Sequence, residues 1–211
     1  MERKPFIAGS TGAVGRTLVR LADARGAALV PHLRPRHERD GRDPRAAVLE
    51  LADTEALERA LAGCTTVVQL IGTMRSRFAA GDTYETSDIG TTRQLVAAAK
   101  RAPSVDHIVL LSSVGAGRPV GAYLKAKAAA EAIVRDAGIP WTIFRPSAFE
   151  GEGHKPPAVL GGVTRLLRLD RWRPIGVEAL AAAILRSALA RAPLAAVLEG
   201  RSLWEWVDQS T

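Results

Sequence analysis

The 211-residue chain contains no asparagine, one cysteine, two methionines and two tyrosines, and aromatic residues make up only 5% of it. A single cysteine, Cys64, excludes an internal disulfide, and no Cys/His grouping has the spacing of metal ligands. Cys64 therefore reads as a small residue near the start of a strand. The apolar run after Arg3-Lys4 is only Phe6-Ile7-Ala8, too short for a secretory signal. No stretch approaches the length of a membrane span. The expectation is a soluble, cytoplasmic protein with no bound metal.

The residues present are those of an ordinary globular protein, with 47% hydrophobic and 24% charged side chains. The length suits one domain with a substantial core and leaves no room for a second full domain beside it. The formal charge is +7, with arginine far outnumbering lysine. A basic surface invites a nucleic-acid reading, but here the basic residues are scattered, and a basic surface alone is weak support. Nucleic acid is not the expected partner. A positive field equally suits a small polyanionic ligand. The arginine bias and the missing asparagine both fit a coding preference, and thermophily accounts for the latter equally well.

Short apolar runs alternate with longer helix-patterned stretches. The strand candidates are Phe6–Ala8, Ala28–Leu33, Ala47–Leu51, Thr66–Ile71, His107–Ser112 and Trp141–Phe144, each bounded by Gly, Pro, Asp or Ser. The helix candidates are Val14–Ala24, Thr54–Leu61, Thr83–Lys100, Ala122–Asp136 and Val177–Leu189. Gly138 stops the fourth helix, and Pro140 follows it. Alternating β and α with near-continuous apolar strands predicts a doubly wound, mostly parallel sheet with helices on both faces. That is a Rossmann-type α/β fold, here spanning 1–211 as one domain, with 146–211 adding a small cap on the substrate side. Pro35–Arg45 reads as a solvated loop, Glu150–Pro157 as an irregular lid, and the chain ends in a tail carrying Trp204 and Trp206.

Gly9-Ser10-Thr11-Gly12-Ala13-Val14-Gly15 lies between the first strand and the first helix, the context in which a glycine loop binds a dinucleotide pyrophosphate. Gly9 permits the sharp turn, Gly12 lets phosphate approach the backbone, and Gly15 lets the helix lie close to the sheet. The helix N-terminus offers free N–H groups and partial positive charge. After the second strand no acid appears until Glu38, while Arg34 and Arg36 are placed to pair with a 2′-phosphate, which favours NADPH over NADH. A solvated basic loop is the alternative. Asp53, after the third strand, can accept from the adenine amino group or cap the helix starting at Thr54.

Tyr123 and Lys127 are four residues apart on a predicted helix and share a face. A phenol is a poor base at neutral pH, and a neighbouring ammonium stabilises its phenolate. The lysine can also hold the nicotinamide ribose, while the tyrosine exchanges a proton with a substrate carbonyl or alcohol. Ser113, just past the fifth strand, sits at the sheet edge where ligands bind and can hold the substrate oxygen. The alternative is a solvent-facing tyrosine and lysine on an ordinary helix.

With these residues the chain resembles the short-chain dehydrogenase/reductase superfamily. It looks most like the atypical branch with an NAD(P)H-binding domain, including the Tat-interacting-protein-like oxidoreductases. The resemblance rests on the Gly9–Gly15 loop, Leu51-Ala-Asp53, Val67–Gly72, Asp88-Ile-Gly-Thr91, Leu110–Gly115, Tyr123 with Lys127, Phe144-Arg-Pro-Ser147 and Arg173–Glu178. It implies an NADP-dependent oxidoreductase of a small carbonyl or alcohol, with Ser113, Tyr123 and Lys127 as the active-site serine, acid/base and helper. It places Ile71 and Gly72 beside the cofactor ribose, and Pro146 and Ser147 beside the nicotinamide. It also implies a homodimer. Many superfamily members hold a relay water with an asparagine on the helix before the tyrosine; here Ser87 or Asp88 lies nearest that slot. The short C-terminal region disfavours sugar-nucleotide epimerisation. Several atypical relatives act as cofactor-binding sensors or regulators, so a non-catalytic sensor is the competing reading. The substrate pocket is expected along Thr73–Asp82, Val114–Gly121 and Glu150–Gly162.

Overall fold

The computed structural model describes residues 2–35, 43–72, 83–147, 149–150 and 170–209. Arg36, Thr73–Asp82, most of the Glu150–Gly162 segment and Thr164–Leu169 lie outside the described residues.

The chain folds as β1 (Pro5–Ala8), α1 (Ala13–Ala24), β2 (Val30–Leu33), β3 (Ala47–Val48), α2 (Thr54–Leu61) and β4 (Thr66–Gln69). A π-helical turn (Glu85–Gly90), α3 (Thr91–Arg101), β5 (His107–Leu111), α4 (Gly121–Arg135), β6 (Trp141–Arg145) and β7 (Phe149–Glu150) follow. A 3-10 turn (Asp170–Trp172), β8 (Ile175–Gly176), α5 (Val177–Ala190), β9 (Ala196–Glu199) and α6 (Arg201–Asp208) complete it. Seven strands form one sheet in the order β3-β2-β1-β4-β5-β6-β9, and every pairing is parallel. β7 and β8 form a separate parallel pair.

The central strands are largely apolar because both faces are covered. Phe6 and Ala8, Val67, Ile108 and Leu110, and Ile143 pack toward α2, α3 and α4. Their neighbours Ile7, Val68, Val109, Leu111 and Phe144 pack toward α1, α5 and α6. Alternation along each strand feeds two cores, so the sequence carries runs rather than a polar–apolar pattern.

The expected helices and strands form, with shifted bounds. The third strand is only Ala47–Val48, although Leu49 and Leu51 beyond it are buried. The third helix is divided, its first part wound as a π turn. The tail contributes two elements that the sequence reading left unstructured. β9 pairs with β6 from Thr142↔Ala196 to Arg145↔Glu199, and α6 buries Leu203 and Val207.

Candidate functional site

The order of strands reverses at β1, which lies between β2 and β4. A doubly wound sheet opens a crevice at this point, beyond the carboxyl ends of its strands. A pocket of about 680 Å3 occupies it. Gly9, Ser10, Thr11, Gly12, Arg34, Ile71 and Gly72 line this pocket, so seven of the cofactor residues expected from the sequence converge.

The glycine loop has the geometry its spacing requires. Gly9 takes φ +92°, open to glycine and strained for other residues. A Cβ on Gly15 would stand 2.1 Å from the Gly9 carbonyl oxygen, so only a glycine lets the first turn of α1 rest on the end of β1. Ala13, Val14 and Gly15 form that first turn, and Val14 points into the core. The N-cap, Gly12, has no side chain to accept from the first N–H groups, which leaves the helix start available to an anion. The Ser10 hydroxyl donates to the His32 carbonyl at 2.6 Å and ties the loop to β2. His32 in turn lies 3.0 Å from the Leu49 carbonyl through Nε2; burial lowers its pKa, and that hydrogen bond offsets the shift only in part.

Arg34 lines the pocket, and Arg16 and Arg20 of α1 line it too, a contribution that the loop motif did not signal. Arg45 bridges Asp23 and Asp43 at the rim, and its hydrogen bond to Asp43 holds that carboxyl below its usual range. Asp53 caps α2: its side chain accepts from the Ala56 N–H at 3.0 Å. The capping alternative is therefore the one its geometry displays.

The far wall of the pocket is built from three segments. Gln69, at the end of β4, accepts from the Ile71 N–H at 3.1 Å and donates to Thr91 and Thr92, which fixes the Ile71-Gly72 corner against α3. The π turn presents Ser87 to the pocket and buries Asp88. Such turns recur at functional sites because the extra residue redirects side chains. Asp88 forms a 2.8 Å ion pair with Lys127 of α4; the two side chains are 1% and 9% exposed. A Cβ on Gly72 would lie 2.8 Å from Lys127 Nζ and 3.1 Å from Asp88 Oδ1. Lys127 thus abuts the pocket wall at Gly72. Its ammonium stands 5.8 Å from the Tyr123 ring centroid, and that ring, 37% exposed, packs beside Tyr84.

Ser113 follows β5, and its hydroxyl makes a long 3.5 Å contact with the Val114 carbonyl. Pro146 receives the Val114 N–H on its carbonyl at 2.9 Å, and the Ser147 hydroxyl donates to the Arg173 carbonyl at 2.6 Å. None of Ser113, Pro146 and Ser147 lines this pocket itself; they stand at the neighbouring β5 and β6 ends. Among the described residues no group of His, Cys, Asp and Glu is placed to hold a metal.

The sequence model of the NAD(P)H-binding family matches residues 9–188, from the glycine loop to the end of α5. The chain belongs to this NAD(P)H-binding family. Protein FMP52, mitochondrial, of Debaryomyces hansenii is 32% identical over 160 residues, covering 73% of this chain and 70% of that protein. The (4-alkanoyl-5-oxo-2,5-dihydrofuran-3-yl)methyl phosphate reductase of Streptomyces griseus is 32% identical over 147 residues, 68% of this chain and 47% of that protein. The chain therefore spans about half the length of this second relative. The structure of MoeE5 in complex with UDP-glucuronic acid and NAD superposes with a TM-score of 0.71 at 20% identity, covering 99% of this chain and 82% of the other. This NAD(P)H-binding protein thus has a Rossmann-type fold, shared with that structure. No helix among its described residues is long and apolar enough to cross a membrane.

Proposed function

We propose that this NAD(P)H-binding protein is an NADPH-dependent reductase of a small carbonyl compound, within the atypical short-chain dehydrogenase group. One observation carries the reading: Lys127, one helical turn from Tyr123, reaches Gly72 in the wall of the pocket that the glycine loop opens into. The proton-donating face of α4 and the dinucleotide crevice are therefore continuous. A relative named as a reductase supports hydride transfer as the chemistry.

In this reading the N-terminus of α1 and the loop Gly9–Gly15 hold the pyrophosphate. Arg34 and Arg36 hold the 2′-phosphate, and Asp53, whose Oδ1 caps α2, has its second oxygen left to accept from the adenine amino group. Ile71, Gly72 and Lys127 hold the ribose on the nicotinamide side, with Pro146 and Ser147 beside the ring. Bound there, NADPH would supply a hydride to the carbonyl carbon. Ser113 holds the carbonyl oxygen, and the Tyr123 hydroxyl donates its proton to that oxygen, so carbonyl, hydride and proton become an alcohol. Lys127, fixed by Asp88, keeps positive charge beside the phenol as the proton leaves.

Tyr123→Phe tests this. It is expected to bind NADPH as wild type does in fluorescence titration while turnover on a carbonyl panel falls about 100-fold or more. Turnover equal to wild type removes Tyr123 from the chemistry.

A second reading, a cofactor sensor that regulates a protein partner, is favoured by the commitment of Lys127 to Asp88 rather than to the Tyr123 oxygen. It requires NADPH and NADP+ to alter partner affinity unequally. No turnover by the wild-type protein, with such a difference, would favour it.

A further inference from the structure

Five segments meet at the carboxyl ends of β5 and β6 in a network of charge. Glu131 of α4 accepts from Arg145 Nε at 2.7 Å on one oxygen and pairs with Arg145 Nη2 at 2.5 Å on the other. The Ser112 hydroxyl donates to Glu131 Oε1 at 2.6 Å. Arg145 turns its remaining nitrogen to Glu199 at the end of β9, at 2.9 Å, and Arg171 closes on the same carboxylate at 2.7 Å. The Glu131 and Arg145 side chains are 4% and 12% exposed. Burial pushes the Glu131 carboxyl up, and its hydrogen bonds from Arg145 and Ser112 outweigh that and hold it below the usual range.

A buried ion pair is poor support for stability, because desolvation cancels much of its attraction. Its better-attested use is to fix register. Helix α4 needs such a device. Its buried residues are Ala126, Lys127, Ala130, Glu131 and Val134. The fully buried apolar residues of this face are two alanines and a valine; Ile133 packs beside them on the core, and Leu124 reaches the Gly115 turn. Two charged contacts add direction to this packing: Lys127 on Asp88 and, one turn on, Glu131 on Arg145. Tyr123, Lys127 and Glu131 are spaced four apart and share one stripe.

The same pair also grips the serine side. Ser112 precedes Ser113 directly, and a Cβ on Gly117 would lie 2.6 Å from Arg145 Nη1, so the turn carrying Ser113 rests on the guanidinium. We propose that Glu131 and Arg145 are positioning residues that fix the Ser113 turn in register with the Tyr123 and Lys127 stripe of α4. The catalytic consequence rests on the reductase reading above; the geometric one does not.

The test compares wild type with Glu131→Gln, Arg145→Lys and the apolar pair Glu131→Leu with Arg145→Met. Replacing both charges by apolar groups of similar volume tends to spare stability, so thermal unfolding near that of wild type is expected for the double variant. The expected outcome is a kcat on the carbonyl panel lowered about 100-fold, as for a misplaced catalytic group. The NADPH Kd should stay within about twofold, because the phosphate loop is remote. Arg145→Lys, which keeps the cation but not the two-pronged contact, should recover part of kcat. Hydrogen exchange by mass spectrometry should show faster exchange at 112–118 in the double variant and no change at 9–16. A folded double variant with wild-type exchange at 112–118 overturns the proposal, as does wild-type kcat. If the double variant does not fold, Glu131→Gln is judged on the same two readouts. Wild-type protein that binds NADPH and reduces no carbonyl overturns the reductase reading instead, and the exchange measurement still decides the positioning role.

Discussion

Asp88 and Lys127 close a 2.8 Å ion pair behind the Gly72 wall of the pocket, one side chain from a π-helical turn and the other from α4. Removing the carboxylate leaves a buried ammonium without its counter-charge. Asp88→Ala is expected to destabilise the fold by about 3–5 kcal/mol, read by urea unfolding. Asp88→Leu combined with Lys127→Met should recover most of that loss, since no charge is then stranded. A single variant as stable as wild type would mean that the pair is solvated.

Gly15→Ala is expected to abolish NADPH binding in fluorescence titration. The added methyl would fall 2.1 Å from the Gly9 carbonyl oxygen, which is backbone and cannot rotate away. The first turn of α1 must then lift from β1, and its N–H groups leave the pyrophosphate. NADPH affinity unchanged by this substitution would place the dinucleotide elsewhere.

Arg34→Ala is expected to weaken NADPH by roughly 10- to 100-fold, the worth of a charge-assisted hydrogen bond, and to leave NADH almost unaffected. Arg16 lines the same pocket and serves as the control for general positive charge. Equal losses for both cofactors on Arg34→Ala would assign the arginine to the pyrophosphate or to the loop.

Stability should fall as the solution is acidified below about pH 6.5. His107 is buried between Arg3, Asp106 and Arg191, and burial, reinforced by the Arg3 charge, takes its pKa down to about 4. Burial lowers His32 as well. The unfolded chain then binds protons that the folded one refuses, so stability is complete above the ordinary histidine value and declines as pH drops toward 4. His107 alone accounts for roughly 3 kcal/mol across that window. Urea unfolding free energies that stay level from pH 7 to pH 5 would contradict the burial of both rings.

Much of this architecture is legible in the sequence, for reasons that can be named. Phe6-Ile7-Ala8 reads as a strand because both faces of β1 are covered, and Gly9 and Gly15 read as a phosphate loop because backbone geometry admits no other residue there. The π turn is invisible in the sequence, since one added residue per turn scarcely alters a short apolar period. β9 is equally hidden: Ala196-Val197-Leu198 is brief, and only its pairing with β6 makes it a strand. Arg16 and Arg20 look like an exposed helix face until the pocket is seen beneath them. Glu131 gave no signal, because its partners Ser112 and Arg145 lie on two other segments. In the sequence Asp88 stands in the Asp88–Thr91 segment and nearest the slot of the missing asparagine; its role as a counter-ion depends on the fold bringing α4 across it.

The order of the sheet also bears on how the protein behaves in a crowded solution. Its two outer strands are β3, with two residues, and β9, with four. An edge that short exposes few unpaired backbone groups to a neighbouring chain. At β9 the strand gives way at once to Gly200 and α6, with Glu199 held by arginines on both oxygens. The most apolar strand segments, Phe6-Ile7-Ala8 of β1 and Ile108–Leu111 of β5, lie in the interior of the sheet with a strand paired on each side, where a second copy cannot reach their backbone.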